Sequence, residues 1–303
     1  MAEFNSLFQL MDAIPDEDAA VAHFTAIRWA AGEFCPYCGS TTLYHFSDKR
    51  THKCGDCRQR FSIKVGTIFE DSKIPLRKWL MAIWLITSHK KGIASTQLAK
   101  DIAVTQKTAW FMLHRLRHAA TTKTFNAPLP GPVEVDETYV GGKESNKHAS
   151  KRLHRGRGGV GKAIVMGVLE RAGELRAGVV ENAKSVTLQG VIRANVAPGA
   201  VVYTDEAKAY RSLDGTYSHY TVNHSAGEYV RDEHAHTNSI ESVWALLKRQ
   251  IIGIHHWVSP KHLSRYVDEI SWRYNHRAMA EGGRVNALIA NSGGRLTYKA
   301  LIA

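Results

Sequence analysis

Hydrophobic spacing divides the chain into a helical first part and a mixed second part. In residues 19–31, Val21, Phe24, Ile27 and Trp29 recur near helical spacing, and Gly32 follows as a C-cap. Residues 75–91 read as a strongly apolar helix that turns Leu76, Trp79, Leu80, Ile83, Trp84 and Ile86 into a core. A short helix follows over 92–102, with Ser95 as its N-cap. Ala103, Val104 and Thr105 make a tight turn, and 106–119 form a second helix with Ala109, Trp110, Leu113 and Leu116 inward. Short helix, tight turn and second helix is the helix-turn-helix layout. The second helix then offers Gln106, Lys107, Thr108, Arg115 and Arg117 outward, side chains suited to base edges and phosphates. Pro128 and Pro130 mark a linker over 121–131.

Beyond the linker the period shortens. Residues 132–142 read as a β-branched strand that stops at Gly141-Gly142. Alternation puts Val133, Val135 and Glu137 on one face and Glu134, Asp136 and Thr138 on the other. Asp136 sits at the far end, where an unpaired carboxylate is costly to bury, so it either meets water or has a partner. Residues 163–169 and 175–180 read as strands joined by a turn at Ala172-Gly173, and 185–196 as a helix with Ser185 as N-cap. Pro198-Gly199 leads into 200–205, a continuously apolar strand of the kind covered on both faces. It too ends in an acid, Asp205, and runs into a helix over 206–213. Three antiparallel strands, a helix and a further strand is the ribonuclease-H-like order. It is an α/β mixed sheet with flanking helices, in which the first and fourth strands lie adjacent and parallel. Their acid-bearing ends then approach each other.

A helix from His236 to Arg249 supplies a third acid. Thr237 or Asn238 can cap it, and Ile240, Val243, Leu247 and Ile251 form its buried stripe. Asn238, Glu241 and Lys248 fall within about 60° of one another on its flank. A last helix, 260–277, turns Leu263, Tyr266, Val267, Ile270 and Tyr274 inward. The histidines at 219, 224, 234, 236, 255 and 256 show no metal-ligand spacing.

Charge changes this picture. The 303 residues carry a net charge of +12, which favours a polyanionic partner such as nucleic acid. The charge is concentrated: residues 71–125 hold 10 Lys/Arg against 2 Asp/Glu, and 143–162 hold 7 against 1. The second block is glycine-rich and lacks periodicity, which predicts an exposed loop presenting Arg152, Arg155 and Arg157. Within it, Gly156 to Ala163 nearly matches a phosphate-binding P-loop. Ala163 lacks the hydroxyl that would hold Mg²⁺, and a strand rather than a helix follows, so ATP hydrolysis is not expected.

The four cysteines, Cys35, Cys38, Cys54 and Cys57, form two C-x2-C knuckles with fifteen residues between them. That spacing holds Zn²⁺ tetrahedrally. Flanked by short strands over 41–46 and 61–65, they predict a zinc ribbon. A cytosolic chain with no other cysteine argues against disulfides or free thiols. Four thiolates fill every position on the ion, so the zinc is structural. No apolar run reaches 18 residues, and the first ten residues lack a signal-peptide layout, so a cytoplasmic protein without membrane contact is expected. Three regions follow: 1–70 with the ribbon, 71–125 with the helix-turn-helix, and 126–295 with the acids.

The acids then become specific. Asp136, Asp205 and Glu241, with 35 residues between the last two, resemble the Asp-Asp-Glu triad of integrase-type transposases. The stretches 135–142, 203–205 and 236–244, followed by Leu247-Lys248-Arg249, are similar to the ISXO-type insertion-sequence transposases, as are 263–269 and 273–277. The similarity covers roughly 20–290 and includes the N-terminal ribbon. It implies a metal-dependent enzyme that binds terminal inverted repeats in double-stranded DNA, nicks the element end and joins the released 3′-OH to target DNA. Two Mg²⁺ or Mn²⁺ ions about 3.5–4 Å apart would serve the reaction. Asp136 would bridge them, Asp205 and Glu241 would hold one side each, and Lys248 would meet the end phosphates. Asn238 competes with Glu241 for the third place, and a carboxylate suits Mg²⁺ better than an amide. Pairing of two ends implies a homodimer or larger. The contrasting reading is a zinc-ribbon and helix-turn-helix regulator whose second half is catalytically degenerate.

Overall fold

The computed structural model describes residues 4–121, 127–142, 144–153, 159–213, 215–222 and 236–302. The elements run as α1 (Leu7–Ala13), α2 (Glu17–Arg28), β1 (Leu43–His45), β2 (Thr51–Cys54), β3 (Arg60–Ser62), α3 (Leu76–Ser88), α4 (Ser95–Asp101) and α5 (Gln106–Ala119). There follow β4 (Val133–Val140), β5 (Ala163–Glu170), β6 (Leu175–Val180), α6 (Ser185–Asn195), β7 (Val201–Asp205), β8 (Ser218–Val222), α7 (Asn238–Arg249), α8 (Leu263–Asn275), α9 (Glu281–Ala290) and α10 (Tyr298–Ile302). They gather into two compact units, Met1–Ala120 with His276–Ala303, and Thr121–Asn275. The sequence boundary at 295 therefore differs from the structural one, because α9 and α10 join the first unit.

In the first unit, β1, β2 and β3 form an antiparallel ribbon. The strand over 51–54, which carries Cys54, was not expected from sequence. Phe24, Phe69 and Trp79 meet edge to face in the core of this unit, with ring centroids 5.3 and 5.0 Å apart. Pro75 precedes α3 and gives it no side-chain cap. Glu17 of α2 supplies one from a distance: its carboxylate accepts the N–H groups of Leu76 at 2.8 Å and Arg77 at 2.9 Å. The short helix α4 starts after Ala94 rather than at a Ser95 cap. Ser95 Oγ instead accepts from Gln106 Nε2 at 2.9 Å and ties α4 to α5. Thr105 caps α5 by accepting the Thr108 N–H.

The second unit is built on a five-stranded mixed sheet in the order β6-β5-β4-β7-β8. The pairs β6–β5 and β5–β4 are antiparallel, and β4–β7 and β7–β8 are parallel. The adjacency of β4 and β7 agrees with the sequence expectation; β8 extends the sheet beyond it. Val133, Val135, Met166, Val168 and Val202 face α6, packing on Leu188 and Ile192. On the other face, Val165, Leu169 and Leu175 meet Ile240, Val243, Trp244 and Leu247 of α7, with Val267 and Ile270 of α8 behind them. Two sequence expectations need correction here. Residue 206 does not open a helix; only a single 3-10 turn, Lys208–Tyr210, forms. The N-cap of α6 is Lys184, not Ser185, whose hydroxyl accepts from Gln189 inside the helix.

Gly167 lets α7 approach the sheet. It lies directly opposite Asp136 in the β4–β5 ladder. A Cβ there would sit 2.7 Å from Trp244 Cη2, 2.8 Å from Cζ2 and 3.1 Å from Ile240 Cδ1. We expect Gly167→Val to push α7 outward and cost about 1–3 kcal/mol, lowering the melting temperature by several degrees. Gly178→Val in β6, where a Cβ meets nothing within 4 Å, should leave it almost unchanged. Equal melting curves for the two variants would remove this packing account.

Candidate active site and zinc centre

The four cysteines converge at the base of the ribbon. Their sulfurs all lie within 4.8 Å of one another, and none forms a disulfide. The Cys35–Cys57 and Cys38–Cys54 sulfurs are 3.7 and 3.6 Å apart. A tetrahedron with Zn–S bonds of about 2.3 Å has edges of about 3.8 Å, so the group fits zinc. The backbone N–H groups of Tyr37 and Cys57 point at Cys35 Sγ and Cys54 Sγ, both at 3.4 Å, as donors to thiolates do.

The acids meet in the second unit. Parallel pairing of β4 with β7 covers Val133 with Val202 and Glu134 with Tyr203. Asp136 and Asp205 lie two residues further along their strands, past this pairing. A cavity of about 430 Å³ opens there, lined by Asp136, Glu137, Thr138, Asp205, Thr237, Glu241, Trp244, Ala245 and Lys248. The structure thus brings Asp136, Asp205, Glu241 and Lys248 to one cavity. Asn238 is exposed and is not part of the lining. Its carbonyl accepts the Ser242 hydroxyl within α7.

The cavity gathers four acids, Asp136, Glu137, Asp205 and Glu241, with the cation Lys248. Burial, then the charges of Glu137, Asp205 and Glu241, push the Asp136 carboxyl up to about 8, against a lowering contribution from the Glu137 backbone N–H. Burial also raises Glu137, opposed by the Tyr210 hydroxyl that donates to its Oε2. A divalent cation replaces the proton that such a group otherwise holds, so the donor set suits hard, oxygen-liganded ions.

Three features of the cavity are not evident from sequence. Glu137 lines it even though alternation assigns it to the opposite face from Asp136. Trp244 and Thr138, both buried, help enclose it. The most consequential is Glu134. It is fully buried on the α7 face, and its Oε2 accepts the N–H groups of Ser239 at 2.9 Å and Ile240 at 3.1 Å. Arg171 Nε donates to its other oxygen at 3.0 Å, and His236 Nδ1 lies 3.2 Å away. Arg171 also donates to the His236 carbonyl and stacks on Tyr203, 4.0 Å from the ring centre. Thr237, the N-cap residue, makes no side-chain cap bond; its hydroxyl turns to Glu241 Oε1 at 3.2 Å. The signal in sequence was an acid among valines on a face meant for packing.

The basic residues divide. Gln106 and Lys107 are exposed at the start of α5, and Thr108 is half-buried against Thr105. Arg115 and Arg117 do not face outward, contrary to expectation. Arg115 donates to the Ile68 and Glu70 carbonyls, and Arg117 is buried, because their positions on α5 turn toward the core of the unit. Arg152 is exposed, and its guanidinium donates to the Lys147 and Ser145 carbonyls. Arg155 and Arg157 lie outside the described residues, as do His224 and His234. Ala163 opens β5, so the P-loop-like stretch runs into a strand.

Residues 128–275 match the ISXO2-like transposase domain, and 15–60 match the transposase zinc-ribbon domain. A Halobacterium salinarum protein, described as an uncharacterized protein in transposable element ISH50, is 31% identical over 258 residues, spanning 80% of this chain and 85% of that protein. An uncharacterized transposase-like protein of Haemophilus influenzae is 34% identical over 99 residues, 32% of this chain and 78% of its own length. No solved structure matches the chain. The chain belongs to the ISXO2-like transposase family. No helix among the described residues is long and apolar enough to cross a membrane.

Two outcomes follow from the two centres. Cys54→Ser should lose bound zinc, read by metal analysis, and melt the ribbon; retention of one zinc per chain would refute the four-thiolate centre. For Asp136 the folded carboxyl, at about 8, lies above its unfolded value of about 3.9. The folded state therefore holds more protons between those values, and stability falls as pH rises through that window. In magnesium-free buffer, Asp136→Asn should gain about 1–3 kcal/mol over the native protein between pH 5 and pH 8. A pH-independent difference in melting temperature would contradict the buried, acid-crowded setting.

Proposed function

We propose that this protein is the transposase of an insertion sequence, binding the inverted repeats of its element in double-stranded DNA and cutting and joining strands with Mg²⁺ or Mn²⁺. The observation that carries this reading is the cavity where acids from two adjacent parallel strands meet an acid from α7. Strand order 6-5-4-7-8 with helices on both faces supports a ribonuclease-H-like assignment. Asp136 takes the central place and Asp205 and Glu241 the flanks. Glu241 is preferred to Asn238 because it lines the cavity and carries the charge. Two bound ions would supply Lewis-acid activation of the attacking oxygen and neutralise the leaving oxygen. The chain's own part is positional. Asp136, Asp205 and Glu241 would hold the ions at the strand ends, and Lys248 offers a cation to a neighbouring phosphate.

The pair α4–α5 is read as a helix-turn-helix, with Gln106 and Lys107 placed for the duplex and Thr108 beside them. Arg115 serves the core instead. The basic loop with Arg152, Arg155 and Arg157 is read as a second phosphate contact. Two element ends must be held together for joining, so the working form is a dimer or larger.

The test is Mg²⁺-dependent cleavage and joining of an oligonucleotide carrying the terminal repeat. Asp136→Asn, Asp205→Asn and Glu241→Gln should each reduce both steps on the order of 10³-fold, reflecting several kcal/mol of lost charge stabilisation. Asn238→Ala should cost less than about tenfold, a barrier change under about 1.4 kcal/mol. If the three acid variants cleave like the native protein, the assignment fails and a DNA-binding regulator becomes the better reading.

A further inference from the structure

The cavity contains a carboxylate that the triad leaves without a task. Glu137 follows Asp136 in β4, and strand alternation turns it toward α6. It nevertheless lines the same cavity as Asp136, Asp205 and Glu241. Its Oε2 is held by the hydroxyl of Tyr210, a fully buried residue in the turn just after Asp205. Glu134, three residues earlier, shows how this fold treats a structural acid: it receives Arg171 and two backbone N–H groups. Glu137 is different. Its side-chain partner among the described residues is a neutral phenol, which orients the carboxylate without cancelling its charge. Of the residues lining the cavity, four are acids and one, Lys248, is a cation.

We infer that Glu137 is a fourth cation ligand of the cavity, with Oε1 meeting a divalent ion while Tyr210 holds Oε2. This rests on the reading of the cavity as the metal site. Tyr210 is a positioning residue. By linking the end of β4 to the turn after Asp205, it sets the distance between Glu137 and the acid of the neighbouring strand.

The experiment is a Mn²⁺ titration of the full-length, zinc-loaded protein without DNA, followed by the electron paramagnetic resonance of free Mn²⁺. The variants are Glu137→Gln, Tyr210→Phe and Asp136→Asn, with Glu181→Gln, an exposed acid outside the cavity, as control. Glu137→Gln should weaken Mn²⁺ binding about tenfold or more, and Tyr210→Phe, which keeps the ring in the core, by a smaller factor of about three to ten. Glu181→Gln should bind like the native chain. If Asp136→Asn loses Mn²⁺ while Glu137→Gln and Tyr210→Phe keep native affinity, Glu137 is only the structural partner of Tyr210 and the inference is overturned. If Asp136→Asn also keeps native affinity, the cavity is not the metal site, and the functional reading fails with it. Should Glu137→Gln not fold, the Tyr210→Phe affinity decides the question alone.

Discussion

The second unit depends on one buried carboxylate. Glu134 lies between the sheet and α7 and takes two N–H groups from the first turn of that helix. Those groups have no partner within the helix and are the positive end of its dipole. Arg171 balances the remaining charge and binds the chain entering α7 through the His236 carbonyl. Breaking a buried pair of this kind costs about 3–5 kcal/mol, a large part of the stability of an ordinary domain. The consequence is geometric. β4 carries Glu134 and, two residues on, Asp136; α7 carries the bound N–H groups and, one residue on, Glu241. A single interaction therefore fixes the strand acid and the helix acid relative to each other.

The second constraint is close approach. Opposite Asp136, Gly167 has no side chain, and the Trp244 ring occupies that space. Trp244 in turn lines the cavity beside Glu241 and Lys248. The parallel pairing of β4 with β7 ends just short of the acids, so the strand ends stand apart where α7 crosses them. That separation allows Glu137, from the other side of the strand, to reach the same space as Asp136.

Much of this was legible in the chain. The cysteine spacing specified the centre because tetrahedral thiolate ligation tolerates few spacings. The apolar stripe Ile240, Val243, Leu247 and Ile251 gave the buried face of α7 and hence the flank of Glu241 and Lys248. What failed was chemistry that acts across sequence distance. Local sequence points to Ser95 and Ser185 as helix caps, one residue beyond the N-caps Ala94 and Lys184 that form. Meanwhile α3 and α7 are held at their N-termini by Glu17 and Glu134, 59 and 105 residues upstream of their first donors. Arginine suits phosphate, which points to Arg115 as a DNA contact, yet the carbonyls of Ile68 and Glu70 take its guanidinium. No periodicity reveals a partner that far along the chain.

The same long-range cap also bears on Glu241. Glu241 stands in the first turn of α7, where a carboxylate would ordinarily be stabilised by the helix dipole. Glu134 has already taken the exposed N–H groups of Ser239 and Ile240. The Thr237 hydroxyl donates to Glu241, as the Tyr210 hydroxyl donates to Glu137. Both acids accept from neutral hydroxyls, while burial and the neighbouring carboxylates push Asp136 up to about 8. Crowded acids repel one another in the protein alone, and a bound cation would offset that repulsion. Arg171 serves the acid that holds α7, and the acids that line the cavity are those of the proposed metal site.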